Sequence, residues 1–242
     1  MKYEKFRHLL TFYWKDRLLL LRDARYWSQI ILIAALIVVY LFSIRQLPLD
    51  SQDIKSLVSF LNIGVAGFVM AAIGLRFTFP AISLEGNSFW LVKSSPVTTA
   101  QIMKEKLLLS LVPSVLIGAV LITFSNYLLN ADFFISTLST VSIIVAAVVL
   151  SVMGVGLGAL FPDFKVENIH QLESSYGGFI YMATAMGYLS LLVAVEAWPV
   201  QMHFAQRFGR AHPWDWRALA LCGLTFIILN AAALVIPWKL GL

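Results

Sequence analysis

Six apolar runs, each near the ~20 residues needed to cross a hydrocarbon core, constrain this chain more than any other feature. They lie near 27–47, 56–75, 107–129, 134–160, 177–198 and 217–238. Hydrocarbon offers the backbone no water to bond with, so a spanning segment must be a helix or a strand of a closed barrel. Barrel strands are short and alternate in polarity, whereas these runs are continuous and too long. The fold class that follows is all-α: a polytopic membrane protein with six transmembrane helices in a single domain over 1–242. Composition agrees, because 60% of the residues are hydrophobic and only 13% are charged, about half the charged share of an ordinary soluble domain. A second, soluble domain would need a long polar block, and the sequence has none. The second run is interrupted by Asn62, Gly64, Gly67 and Gly74, and glycine is common in membrane helices.

Residues 1–26 mix two characters. Tyr3, Phe6, Leu9, Leu10, Tyr13 and Trp14 recur at roughly helical spacing, with Lys2, Lys5, Lys15 and Arg22 largely between them. This pattern suits an amino-terminal amphipathic surface helix, apolar side in the lipid and basic side toward anionic headgroups; the plainer alternative is a charged extension of the first span. The segment is too charged for a cleavable signal peptide. Cys222 lies alone in an apolar run and reads as a small buried hydrophobe.

The formal charge of +5 reports orientation here, with no nucleic acid implied, since Lys and Arg collect on the cytoplasmic side of membrane proteins. With a cytoplasmic amino terminus, the inner segments hold thirteen Lys/Arg and the outer ones five (Arg45, Lys55, Arg207, Arg210, Arg217). Both termini are therefore expected in the cytoplasm, with the chain multi-pass in the plasma (cytoplasmic) membrane.

The longest polar interruption, 76–106, then becomes a cytoplasmic loop. Phe89, Trp90 and Leu91 make its first part apolar enough to rest on the membrane as a surface helix. Ser94-Ser95-Pro96 breaks the chain, because the residue before proline disfavours helix. Thr98 with Gln101 three residues later fits a capping box, and QIMKEKLLL continues as helix into the third span. The second inner loop, 161–175, begins at Phe161-Pro162, and Glu167-Asn168 is expected to cap a short helix. Just before it, Gly154 and Gly158, four apart, form a small-residue face for helix packing inside the subunit or at a dimer interface; a ligand path along that groove is a further reading.

Little catalytic chemistry is legible. No G-x-x-x-x-G-K-[ST] phosphate loop, H-E-x-x-H or G-x-S-x-G occurs. His8, His170, His203 and His212 are scattered, so no metal or cofactor site is expected. Glu196 is the one charge expected within a span, near its outer end. Its readings are a path-lining group, a partner for an external arginine, or an interfacial residue in contact with water.

The segment Phe79-Pro80-Ala81-Ile82-Ser83-Leu84-Glu85-Gly86-Asn87-Ser88-Phe89-Trp90-Leu91-Val92-Lys93-Ser94-Ser95-Pro96, a lysine at 104 or 106, and the later Phe161-Pro162-Asp163-Phe164 and Ser174-Ser175-Tyr176-Gly177-Gly178 resemble the permease family of type-2 ABC exporters. The likeness is to the carboxyl-terminal half of longer members. It implies a non-catalytic membrane subunit that forms a translocation path and couples to a separate ABC ATPase subunit. The docking residues implied are Ser95, Pro96, Val97, Thr98, Thr99, Gln101 and Lys104, in a coupling helix within the cytoplasmic loop. A second permease half, as homodimer or heterodimer, is also implied. The competing expectations are an ATPase-independent carrier or channel, and a membrane scaffold.

Overall fold

The computed structural model describes residues 24–46, 52–88, 98–164, 169–207 and 216–242. The amino-terminal surface helix expected over 1–26 falls almost wholly outside them, as do Ser95, Pro96, Val97, the expected cap at Glu167-Asn168 and residues 208–215.

Among the described residues all regular structure is helical. In order these are α1 (Ala24–Arg45), α2 (Gln52–Phe77), two 3-10 turns (Phe79–Ala81 and Ser83–Ser88), α3 (Thr99–Leu129), α4 (Phe133–Leu160), α5 (Ile169–Glu173), α6 (Tyr176–Arg207) and α7 (Trp216–Gly241). Five of them, α2, α3, α4, α6 and α7, are long and apolar enough to cross a membrane. The sequence suggests six. The difference is α1, whose described apolar stretch is only Ile30–Arg45.

Inside a bilayer, lipid tails are as apolar as leucine, so helices associate through close packing and buried polar contacts. Both are present. A Cβ on Gly74 would stand 2.2 Å from the Tyr181 hydroxyl, and one on Gly67 would stand 2.5 Å from Leu189. Gly64 faces Val193. The three glycines thus let α6 lie close against α2, antiparallel, one contact per turn or two. The glycines that interrupt the second apolar run are its packing surface.

α4 is the centre of the bundle. α3 lies along it, turning back through Asn130, whose left-handed φ of 48° ends α3. The Ala131 N–H closes that turn on the Asn126 carbonyl at 3.1 Å, the bond pattern of a Schellman end. α2, α6 and α7 also pack on α4. Phe60, Ile63, Met70, Leu121, Ile143, Leu150, Tyr181 and Leu192 share the core between them. α1 and α7 sit on the flanks: α7 buries only Asn230 and Pro237.

Candidate functional site: the loop end and the buried polar layer

The loop end of the bundle gathers the 3-10 turns, the start of α3, the end of α4, α5 and the carboxyl end of α7. Its first 3-10 turn is wedged against glycines. Phe79 is 1% exposed, and a Cβ on Gly158 would come 2.2 Å from the Phe79 carbonyl oxygen. A Cβ on Gly154 would come 2.7 Å from Thr78, and one on Gly177 would come 2.9 Å from the Phe79 ring. So Gly154 and Gly158 receive this chain's own turn. Gly156, on another side of α4, is the point where the Pro237 carbonyl of α7 approaches.

The second turn is held by charge. Lys106 and Glu85 form an ion pair whose side chains are only 7% and 13% exposed. The Asp163 N–H donates to the Ser83 hydroxyl at 3.1 Å, and Arg76 meets Glu173 at 3.7 Å. Gly86, with φ 51° and ψ −137°, bends this turn through a conformation that side chains disfavour. Of the surface segment expected over 83–92, Ser83–Ser88 is a 3-10 turn kinked at Gly86, and Phe89, Trp90 and Leu91 lie outside the described residues.

α3 begins where the sequence spacing puts it. A capping box joins Thr98 and Gln101: the Thr98 N–H donates to Gln101 Oε1 at 2.9 Å. Thr98, Thr99 and Lys104 are exposed and Gln101 is half-buried. One unbroken helix runs from this cap to Leu129 despite Pro113.

The second constellation lies inside the bundle toward the opposite end, and sequence reasoning missed all of it except Glu196. Tyr40 of α1 donates to Asn62 Oδ1, and Asn62 Nδ2 donates to the Ser125 hydroxyl. Ser59 donates to Asn126 Oδ1 at 2.6 Å, and Asn126 Nδ2 donates to Ser139 at 2.8 Å. Ser142 is hydrogen-bonded to Glu196 Oε1. Eight residues earlier on α6, the Tyr188 hydroxyl donates to Asn230 Oδ1 at 2.7 Å. These pairs join α1, α2, α3, α4, α6 and α7 through polar side chains surrounded by apolar ones. Their signal was legible in principle: Ser56, Ser59 and Asn62, like Ser136, Ser139 and Ser142, recur every third residue and so share one helix face. Glu196 is 2% exposed, so the water contact suggested by the sequence is absent. Its Oε2 has no hydrogen-bond partner among the described residues.

Among the described residues, no three His, Cys, Asp or Glu side chains group as metal ligands.

Residues 4–242 match the family described as "Putative ATP-binding cassette". The chain belongs to that family. A search of curated proteins and a search of solved structures each returned no match. Membership in the ATP-binding-cassette family corrects three expectations together. The family is described by ATP binding and not as a permease family, so the narrower resemblance to type-2 exporter permeases does not stand. With it falls the assignment as a membrane-spanning permease subunit that forms a path and borrows its energy from a separate ATPase. The non-catalytic label falls as well, because the ATP-binding-cassette description points to an ATPase-type function. An ATPase-independent carrier or channel, or a scaffold, fits the ATP-binding-cassette family no better.

Proposed function

We propose that this protein works from within the membrane as part of an ATP-binding-cassette transport system, with ATP turnover as its source of energy. The observation that carries this reading is the family match along 4–242 of a chain in which five helices are of membrane-crossing length and polarity. The sequence has no G-x-x-x-x-G-K-[ST] loop, so nucleotide engagement by this chain itself would use other donors.

The orientation and the partners belong to the same proposal. Thirteen Lys/Arg against five favour a loop end in the cytoplasm, with both chain termini there, α1 as a sixth span and residues 1–26 on the inner membrane surface. The capped start of α3 would offer Thr98, Thr99, Gln101 and Lys104, with Ser95, Pro96 and Val97 ahead of them, to a further chain of the system. A helix continuous from its cap to Leu129 suits this role, since a displacement at Thr98 moves α3 as a rod. A second copy or a related half would lie beside it in the bilayer.

The test is to purify the tagged chain from its native membrane in mild detergent and measure ATP binding and hydrolysis. Turnover that follows the tag is the expected result. Preparations that neither bind nor hydrolyse ATP, alone or with what co-elutes, would overturn the proposal.

A further inference from the structure

Glu196 is a buried carboxyl that, among the described residues, forms no ion pair. The sequence places no Lys or Arg in 56–75, 107–164, 177–206 or 218–238, which are the interiors of every helix packed around it. Among the described residues, the titratable and charged groups nearest along the packed elements are Tyr188 and His203 on α6, Asp132 ahead of α4, Lys55 in the first turn of α2, and Cys222 and Arg217 on α7. Arg207 stands eleven residues further along α6, about 16 Å at the helical rise. An unpaired carboxylate in such surroundings costs several kcal/mol even after relaxation. Charges inside a bilayer are retained where they serve a function.

Hydrogen counting points the same way. Ser142 has one hydroxyl hydrogen. Its oxygen lies 2.8 Å from the Leu138 carbonyl, the usual helical back-bond, and is also hydrogen-bonded to Glu196 Oε1. Both of those neighbours are acceptors if Glu196 is ionised, and one hydrogen must then serve two. If Glu196 carries a proton, its O–H donates to Ser142, Ser142 donates to Leu138, and each oxygen has a partner. The unpartnered Oε2 is then a neutral carbonyl oxygen, far cheaper to leave alone than half of a carboxylate. An alkali cation at this position would require several converging oxygens, by analogy with the six or more that harder cations gather; among the described residues, the hydrogen bonds at Glu196 bring in the Ser142 hydroxyl and, through it, the Leu138 carbonyl.

We propose that Glu196 is an exchangeable proton-binding site within the bundle, and that the bound proton holds α6 against α4 through Ser142. Release transfers the proton to water and leaves a carboxylate, which must draw water in and loosen the α4–α6 contact. The way in is from the carboxyl end of α6. His203 lies seven residues on, almost two turns and hence on the same face. It stacks on Phe134 with ring centroids 4.6 Å apart and stands 3.8 Å from Asp132. Pro199 lies between, and its ring removes the N–H that would have served the Val195 carbonyl.

Infrared difference spectroscopy of the full chain in lipid nanodiscs tests this without reference to ATP. At neutral pH a protonated-carboxyl band should be present, move in D2O and vanish in Glu196→Gln. His203→Phe, which keeps the stacking, should slow the D2O shift without moving the pH midpoint. Glu196→Gln mimics the loaded state, so it should fold, and its thermal unfolding should lose the pH dependence that the unaltered chain shows in alkali. Absence of the band at neutral pH would overturn the proposal. So would its displacement by sodium at constant pH, or failure of Glu196→Gln to fold where the unaltered chain folds.

Discussion

Single side chains carry unequal consequences in this bundle, and its glycines show this most directly. At Gly158 the atom that a new Cβ would strike is a backbone oxygen, which cannot rotate aside. Gly158→Ala should therefore lower stability by about 1–3 kcal/mol, the usual cost of overpacking, read as an earlier thermal transition in detergent. Gly187→Ala is the control: nothing lies within 4 Å of its Cβ. That change should leave the transition unmoved or raise it, by up to about 1 kcal/mol, since alanine is the better helix former. Asn126→Ala removes the acceptor of Ser59 and the donor to Ser139 at once. Interhelical bonds in membranes are worth roughly 0.6–2 kcal/mol each, so a loss near that range is expected in the same assay. These weights were poorly legible beforehand. Serine and asparagine in an apolar run look neutral until a neighbouring helix brings its own to the same depth, and that pairing is set by tertiary packing. Glu196 stood out because it is charged, but its burial comes with the packing of α2, α4 and α7 on α6.

At the scale of elements, the start of α3 and the turns before it make separable predictions. Thr98→Ala with Gln101→Ala removes the capping box, at about 0.5–2 kcal/mol. The loss should show as faster hydrogen exchange at amides 99–102, with the global transition little changed. Lys106→Met, by contrast, removes the ion-pair partner of the half-buried Glu85. Breaking such a pair costs about 3–5 kcal/mol, so the global transition should fall, and Glu85→Gln in the same chain should recover part of the loss. A transition unaffected by Lys106→Met would show that the pair is not closed. Element identity was largely legible. Long apolar runs give helices whatever surrounds them, and the Thr98–Gln101 spacing located a helix start to the residue. The turns at 79–88 were not legible, because their shape comes from Phe79 filling the space left by Gly154, Gly158 and Gly177.

For the whole molecule, the number and direction of crossings can be read by thiol labelling. In a Cys222→Ser background, a cysteine at Thr98 should react with an impermeant maleimide only in inside-out vesicles. One at Gln46, at the end of α1, should react in intact cells. The reverse pattern would invert the orientation, and equal sidedness of the two would remove α2 as a crossing. Length and polarity mark five helices as able to cross, and the described apolar stretch of α1 is Ile30–Arg45 within a helix of 22 residues.

The wedge at Phe79 has a mechanical meaning. The polar segment that follows it is rooted twice, once in a ring locked among α2, α4 and α6, and once in the ion pair at the foot of α3. A hand pulling on that segment would grip four columns of the building through one doorknob, so even a small tug there is shared by the frame and no single helix can yield by itself.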